Sequence, residues 1–262
     1  MVRRSKKKRS SREDYPMHEQ LKIEEGVFEP KMMPRLGKLF NKKIISGLEF
    51  ITARGKEADV YIAGGGANVD EKYVILKIFR LETSSFQKRT NYVSGDPRFG
   101  KIKKSPFAVV NEWCKKEYGN LMVAEAAGVH APRPYAFSGN ILALELIGEG
   151  GKPSSRMRDV KLKRPDGVLD AIIEDVKRLY SHELVHSDLS EYNILIKEES
   201  KEEVPYMIDF GQAILLEHPE AMNYLKRDIH NLLAYFARTY GIKKSEEETF
   251  AYVTDQESMK KS

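Results

Sequence analysis

Residues 185–196 read Val-His-Ser-Asp-Leu-Ser-Glu-Tyr-Asn-Ile-Leu-Ile, and residues 207–212 read Met-Ile-Asp-Phe-Gly-Gln. In the first block His186, Asp188 and Asn193 form an H-x-D-L-x-x-x-N pattern. The second block carries Asp209 ahead of Phe210 and Gly211. Each borders a run of apolar β-formers, Ile194-Leu195-Ile196 and Met207-Ile208. That arrangement predicts a short hairpin presenting an Asp, an Asn and a second Asp to one spot. Phosphoryl transfer needs such a set. One carboxylate orients a hydroxyl and accepts its proton, while an Asn and a carboxylate hold Mg²⁺ on a triphosphate. Taken singly, Asp188 reads as an N-cap or turn residue and Asn193 as a turn residue. Their joint spacing is what points to chemistry. His186 reads as a structural hydrogen-bonder of the loop rather than as a base.

Upstream, the pattern is one of strands. Leu48–Ile51, Ala58–Ala63 and Tyr73–Phe79 are strand-like, and turn-prone residues 54–57 separate the first two. Gly64-Gly65-Gly66 joins two strands and opens no helix, so it reads as a hairpin turn and not as a phosphate loop. The loop with the right neighbours for a nucleotide is Arg54–Ala58, with Lys56 at its tip. Lys77 stands alone in the otherwise apolar third strand. A buried lysine there is costly unless paired or bound to phosphate, so it is expected to bridge the phosphates and an acidic partner. Glu117 is the first choice of partner and Glu112 the reserve. Both belong to a helix from Pro106 whose stripe is read as Phe107, Val110, Trp113, Tyr118, Leu121 and Met122. A strand over 140–147 follows and ends on Glu145 and Ile147, where backbone groups would meet an adenine edge. Gly148, Gly150 and Gly151 mark a hinge.

Beyond the hinge, Val168–Tyr180 is an amphipathic helix that delivers the chain into the His186 loop. A second helix runs from Leu225 to Tyr240, with Gly241 as its C-cap. Asp228 on it reads equally as a buttress of the catalytic loop or as a surface aspartate. The expected organisation is a basic disordered tail over 1–16, a helical extension over 17–47, an N-lobe over 48–147 with a long polar loop at about 81–105, a C-lobe over 148–241, and a charged, frayed tail over 242–262. Residues 17–47 are read as short helical stretches around Pro30 and Pro34 with an apolar stripe of Leu36, Leu39, Phe40, Ile44 and Ile45.

Composition narrows the classes. The 262 residues are 41% hydrophobic, enough for a two-lobed core. No apolar run approaches a membrane span, and the basic start has no apolar segment of the kind a secretory signal needs. A single cysteine, Cys114, excludes an intrachain disulfide and points to a reducing, cytoplasmic setting. Cys114 itself reads as a small buried side chain. The net charge is +5, but residues 1–12 carry seven basic and no acidic residues, so the remainder is near neutral. The tail is a candidate contact for nucleic acid, or equally a solvated end.

The order of strand, loop, strand, turn, strand with one Lys, helix with Glu, strand, hinge, helix and catalytic blocks is that of a protein-kinase domain. The expected fold is therefore α+β and two-lobed, with a mostly antiparallel β N-lobe carrying one main helix and a reduced, mostly helical C-lobe without activation and peptide-docking segments. Within that class the chain resembles the RIO-type atypical serine kinases, and their type-one branch in its short, archaeal-like form. The residues that carry the likeness are Gly55–Tyr61, Asn111-Glu112-Trp113, Glu117–Leu121, Val185–Ile194 and Ile208–Ala213. The winged-helix domain that precedes the kinase in the second branch is not expected among residues 1–47. The resemblance implies ATP with Mg²⁺, or Mn²⁺ in its place, as cofactors. It implies Asp188 as catalytic aspartate, Asn193 and Asp209 as metal ligands, Lys77 as the phosphate-binding lysine and Gly55-Lys56 as a cover over the nucleotide. It also implies ATPase character, autophosphorylation, uptake of phosphate by Asp209, and a role in small ribosomal subunit maturation.

Two departures stand out. The family's Ser-Thr before Gly-Lys is replaced by Ala53-Arg54, which removes hydroxyl contacts. Ser187 stands where ordinary kinases place an arginine that reads a phosphorylated activation loop. His218-Pro219-Glu220 comes too soon to close a docking segment. Two other functions stay open at this level. One is a small-molecule kinase of the aminoglycoside-phosphotransferase type, for which little substrate lobe follows the hinge. The other is a nucleotide-sensing assembly factor that binds ribosomal RNA through the basic tail and loop.

Overall fold

The computed structural model describes residues 32–81, 96, 98 and 105–255. The basic tail, Pro30, most of the polar loop at 81–105 and residues 256–262 lie outside the described residues. The chain forms a helix α1 (Met33–Asn41), strands β1 (Ile45–Arg54), β2 (Ala58–Gly65) and β3 (Tyr73–Phe79), a long helix α2 (Pro106–Ala126), and strands β4 (Pro134–Ser138) and β5 (Ile141–Glu145). These strands make one antiparallel sheet in the order β1-β2-β3-β5-β4. Short strands β6 (Gly148–Glu149), β7 (Lys152–Pro153) and β8 (Ser155–Arg156) lead out of the sheet. Helix α3 (Pro165–Ser181), strands β9 (Leu184–Val185), β10 (Ile194–Glu199), β11 (Glu202–Met207) and β12 (Ile214–Leu215), and helices α4 (Ala221–Tyr240) and α5 (Glu246–Thr254) complete the second lobe. The fold is α+β and two-lobed, as expected. Among the described residues no helix is long and apolar enough to cross a membrane.

Alternation along β3 decides where Lys77 points. Val74, Leu76 and Ile78 pack with Leu36 and Leu39 of α1, Tyr61 and Ile141 in one core. Successive strand side chains face opposite ways, so Ile75, Lys77 and Phe79 look to the other side, towards α2. There Phe79 joins Val110, Trp113, Leu121 and the helices of the second lobe in a larger core. The single polar member of β3 is thereby delivered to the cleft between the lobes.

Several expectations are corrected. The first strand begins at Ile45, not at Leu48, so Ile45 belongs to the sheet and not to a helical stripe. Gly64 and Gly65 are strand residues, paired with Tyr73 and Ile45, not a turn. A Cβ on Gly65 would sit 1.9 Å from the Glu71 carbonyl oxygen, so backbone proximity explains that glycine. Gly150 and Gly151 form the two-residue turn between β6 and β7, at φ +57° and +80°. Left-handed conformations at both positions suit a type I′ hairpin, which makes this segment a defined turn. On α2, Phe107 and Met122 are 39% and 42% exposed, while Lys116, Glu117 and Asn120 are buried. The tail expected to fray contains α5. Its Ser245 hydroxyl accepts from the Glu248 N–H at 3.2 Å, three acidic residues occupy its positive first turn, and Val253 is buried.

Candidate active site

A cavity of about 590 Å³ lies between the lobes. Its walls include Ala53, Arg54, Gly55 and Lys56 at the β1–β2 turn, Lys77 on β3, Glu117 on α2, Glu145 and Ile147 after β5, and Asp188, Asn193, Asp209 and Gln212 from the second lobe. The structure thus brings Lys56, Lys77, Glu117, Glu145, Ile147, Asp188, Asn193 and Asp209 to one cleft, and leaves Glu112, His186 and Asp228 outside its lining. Gly55 closes the β1–β2 turn by donating its N–H to the Ala58 carbonyl at 2.9 Å, and Lys56 is exposed at the lip. At the far end the Glu145 N–H donates to the Arg133 carbonyl at 2.9 Å, and the Ile147 carbonyl accepts from Ser154 at 2.8 Å.

Lys77 is the electrostatic centre. Its Nζ lies 2.7 and 3.0 Å from the two Glu117 carboxylate oxygens and 3.0 Å from Asp209 Oδ1. Burial works against the ammonium, but Asp209 and Glu117 together outweigh it and hold its pKa above the usual lysine value. For Glu117, only 1% exposed, burial pushes the carboxyl up and Lys77 opposes the shift. Glu112, the other acid considered, lies at the helix surface 3.9 Å from Lys115.

Asp188 is held by donors. Gln212 Nε2 donates to its Oδ2 at 2.8 Å, and Asn193 Nδ2 donates to its backbone carbonyl at 2.8 Å and to Oδ2 at 3.3 Å. His186 is buried, with Nε2 donating to the Ile208 carbonyl at 3.0 Å and its ring edge-on to Phe210 at 4.8 Å. Burial pushes its pKa down to about 4. A neutral imidazole with that bond ties residues 185–196 to residues 207–212 and is not placed to carry a proton to the cleft.

The loop's shape has identifiable causes. Ser187 and Asp209 both take left-handed conformations, φ +56° and +67°, which non-glycine residues adopt only when surroundings hold them. Asp228, the residue whose role the sequence left open, accepts the Ser187 N–H at 2.7 Å and the Leu189 N–H at 3.1 Å. Ser187 Oγ donates to the Gln212 carbonyl at 2.7 Å, and Arg227 donates to the Ser187 carbonyl. Burial raises the Asp228 carboxyl to about 7 against the pull of these N–H groups. Asp228→Ala leaves two buried N–H groups without acceptors, and is expected to cost about 2–5 kcal/mol of stability in urea unfolding. Asp228→Asn keeps one acceptor oxygen and should cost about half as much. Equal stability of Asp228→Ala and the parent protein would refute the buttress.

The residues present suit a hard divalent cation. Asn193 commits Nδ2 to Asp188, which leaves its Oδ1 as the acceptor available to a cation. Asp209 is 46% exposed in the cleft, so its carboxylate is accessible. Among the described residues no group of three or more His, Cys, Asp or Glu side chains converges to hold a metal. One carboxylate and one amide oxygen match Mg²⁺ bound mainly through substrate phosphates and water. Sequence reasoning gave no role to Gln212, Arg227, Lys116 or Asn120. Lys116 and Asn120 carried a signal, since helical spacing aligns them with Trp113, Glu117, Leu121 and Ala124. Gln212 and Arg227 carried none.

Residues 59–249 match the RIO domain family. The chain is 35% identical over 239 residues to the RIO-type serine/threonine-protein kinase Rio1 of Haloferax volcanii, covering 91% of this chain and 80% of that protein. It is 37% identical over 183 residues to the Rio1 kinase of Thermoplasma acidophilum, covering 70% and 94%. Among solved structures it resembles the Rio2 kinase–ADP/Mg²⁺–phosphoaspartate complex of Chaetomium thermophilum. The TM-score is 0.64 at 22% identity, over 86% of this chain and 67% of that one. A second structure of the same kinase matches with a TM-score of 0.60 at 19% identity, over 95% and 87%. At these identities the structural likeness carries the fold.

Proposed function

Because the chain belongs to the RIO family of serine/threonine kinases, we propose that it binds Mg²⁺–ATP in the interlobe cleft and transfers the γ-phosphoryl group. The observation that carries this reading is the meeting of Lys77, Asp188, Asn193 and Asp209 around one cavity, with Lys77 already bonded to Asp209 at 3.0 Å. The adenine edge lies against the Glu145 carbonyl and the Ile147 N–H. Lys77 neutralises the α- and β-phosphates, and the β1–β2 turn with Lys56 covers them. Asn193 Oδ1 and Asp209 hold the cation, which supplies charge neutralisation at the β- and γ-phosphates.

Asp188 orients a serine or threonine hydroxyl and takes its proton. The acceptor oxygen bonds to the γ-phosphorus, the bond to the β–γ bridging oxygen breaks, and ADP leaves with the electron pair. In the absence of a hydroxyl acceptor, water in the same place gives slow ATP hydrolysis. Asp209, which borders the cleft, is a second acceptor of the phosphoryl group in this proposal, a reading supported by the phosphoaspartate in the Chaetomium complex. Action on a precursor of the small ribosomal subunit is the finer part of the proposal. It rests on the family resemblance and on the basic residues 1–12, which suit RNA phosphates.

Incubation with γ-labelled ATP and Mg²⁺ tests the reading. The expected result is acid-stable label on serine or threonine that disappears in Asp188→Ala, together with hydroxylamine-labile label that disappears in Asp209→Ala. A protein that binds no ATP, or whose Asp188→Ala and Asp209→Ala variants both label as the parent does, ends it.

A further inference from the structure

Helix α2 holds the Asp209 segment twice. Glu117 reaches the Asp209 side chain through Lys77, as described above. The preceding residue, Lys116, turns to the other side of the same segment, where its Nζ donates to the Gly211 carbonyl at 3.1 Å and to the Ala213 carbonyl. One turn further on, Asn120 Nδ2 donates to the Phe210 carbonyl at 2.8 Å and to the Ala213 carbonyl at 3.0 Å. Both side chains are fully buried. A buried lysine whose direct partners are neutral carbonyls is costly to keep charged, and burial lowers Lys116 to about 7; charged or neutral, its Nζ still donates to the carbonyls. The Phe210–Gln212 turn explains what the expense secures. It is a single 3₁₀ turn following a left-handed Asp209, closed by the Ala213 N–H on the Phe210 carbonyl at 3.2 Å, while the Gly211 and Ala213 carbonyls take the side-chain donors of α2. Trp113 seals the remaining side, since a Cβ on Gly211 would lie 2.8 Å from its ring.

We propose that Lys116 and Asn120 are positioning residues for Asp209: by gripping the carbonyls of Phe210, Gly211 and Ala213 they fix the direction of the Asp209 carboxylate and so the affinity for the divalent cation. The grip has an outer anchor. Arg98 donates to Asn120 Oδ1 at 2.8 Å, which sets the amide so that Nδ2 faces the carbonyls, and Arg98 is itself paired with Asp96 at 2.6 Å. The polar stretch after β3 is thereby connected to the metal-binding turn through one side chain.

The inference rests on the reading of Asp209 as a cation ligand, and its test separates the two. The full-length protein and its Lys116→Met, Asn120→Leu and Arg98→Met variants are compared by fluorescent-ADP binding without divalent ions, by Mn²⁺ binding followed by electron paramagnetic resonance, and by amide hydrogen exchange over residues 208–215. The expected result is metal-free ADP affinity within about twofold of the parent, with Mn²⁺ affinity about tenfold weaker for Lys116→Met and Asn120→Leu and about threefold weaker for Arg98→Met. Exchange at residues 210–213 should rise in the same order. Unchanged exchange and unchanged Mn²⁺ affinity would overturn the proposal, and so would a parallel loss of metal-free ADP affinity. If Lys116→Met and Asn120→Leu fail to fold, Arg98→Met decides it by the same two readouts. A parent protein that binds no Mn²⁺ refutes the cation role of Asp209, and the positioning claim then stands or falls on exchange alone.

Discussion

Asp188→Asn is expected to lower phosphoryl transfer about 10²–10⁴-fold, the range that a positioned general base supplies, with ATP affinity changed by no more than about twofold. The geometry supports a clean separation of the two. Asp188 receives donors from Gln212 and Asn193, and the groups proposed to hold the nucleotide are on other residues. An asparagine in its place keeps the shape and one acceptor oxygen but cannot take a proton. Its amide can be oriented so that the oxygen still faces Gln212, so the loop should survive. Single-turnover transfer from labelled ATP, with calorimetric ATP binding on the same preparation, measures both quantities. Transfer at the parent rate would remove Asp188 from the chemistry, and a matching loss of ATP affinity would make it a binding residue.

The second large effect falls on stability as well as turnover. Lys77→Met strands Glu117, which is 1% exposed, beside Asp209 with no ammonium between them. Breaking a buried ion pair by removing one partner costs about 3–5 kcal/mol. The sign of the pH dependence follows from burial. With Lys77 gone, the largest influence on Glu117 that remains is the desolvation that raises its pKa. A carboxyl raised above its unfolded value is neutral and cost-free in acid, so the variant should match the parent most closely below about pH 4. It should then lose stability as pH climbs through the raised value. The Lys77→Met/Glu117→Leu double variant should recover most of the stability but none of the turnover. Urea midpoints across pH, set beside ATP turnover, check this. A double variant as unstable as the single one would show that the ion pair is not the cause.

How far such a site can be read before folding depends on which physical signal each residue leaves. Lys77 announces itself because a lone ammonium in an apolar strand needs a reason. Asp188, Asn193 and Asp209 share a spacing that few other arrangements impose. The face of α2 was legible only in part: Val110, Trp113 and Leu121 are buried as their spacing implies, but the polar residues beside them were not read as buried. Apolar periodicity assumes that what is buried is apolar, whereas Lys116, Glu117 and Asn120 occupy the inward stripe while Phe107 and Met122 face out. Helix α5 was hidden by its charges, although Ser245 followed three residues later by Glu248 is a capping signature. Gln212 had no pattern to reveal it. Its contact with Asp188 at 2.8 Å joins segments 24 residues apart, beside two left-handed residues, Ser187 and Asp209, whose conformation no local preference of Ser or Asp announces.

Ser187 has a consequence for control. Its backbone is tied to Asp228 and Arg227 and its hydroxyl to Gln212, all partners from within the fold. Only residues 210–220 separate Asp209 from α4, so no long segment intervenes to carry a covalent mark. Among the described residues, a loop fastened this way is held by the fold itself and not by a segment between Asp209 and α4. The choice of moment and place passes to whatever brings an acceptor to the mouth of the cleft.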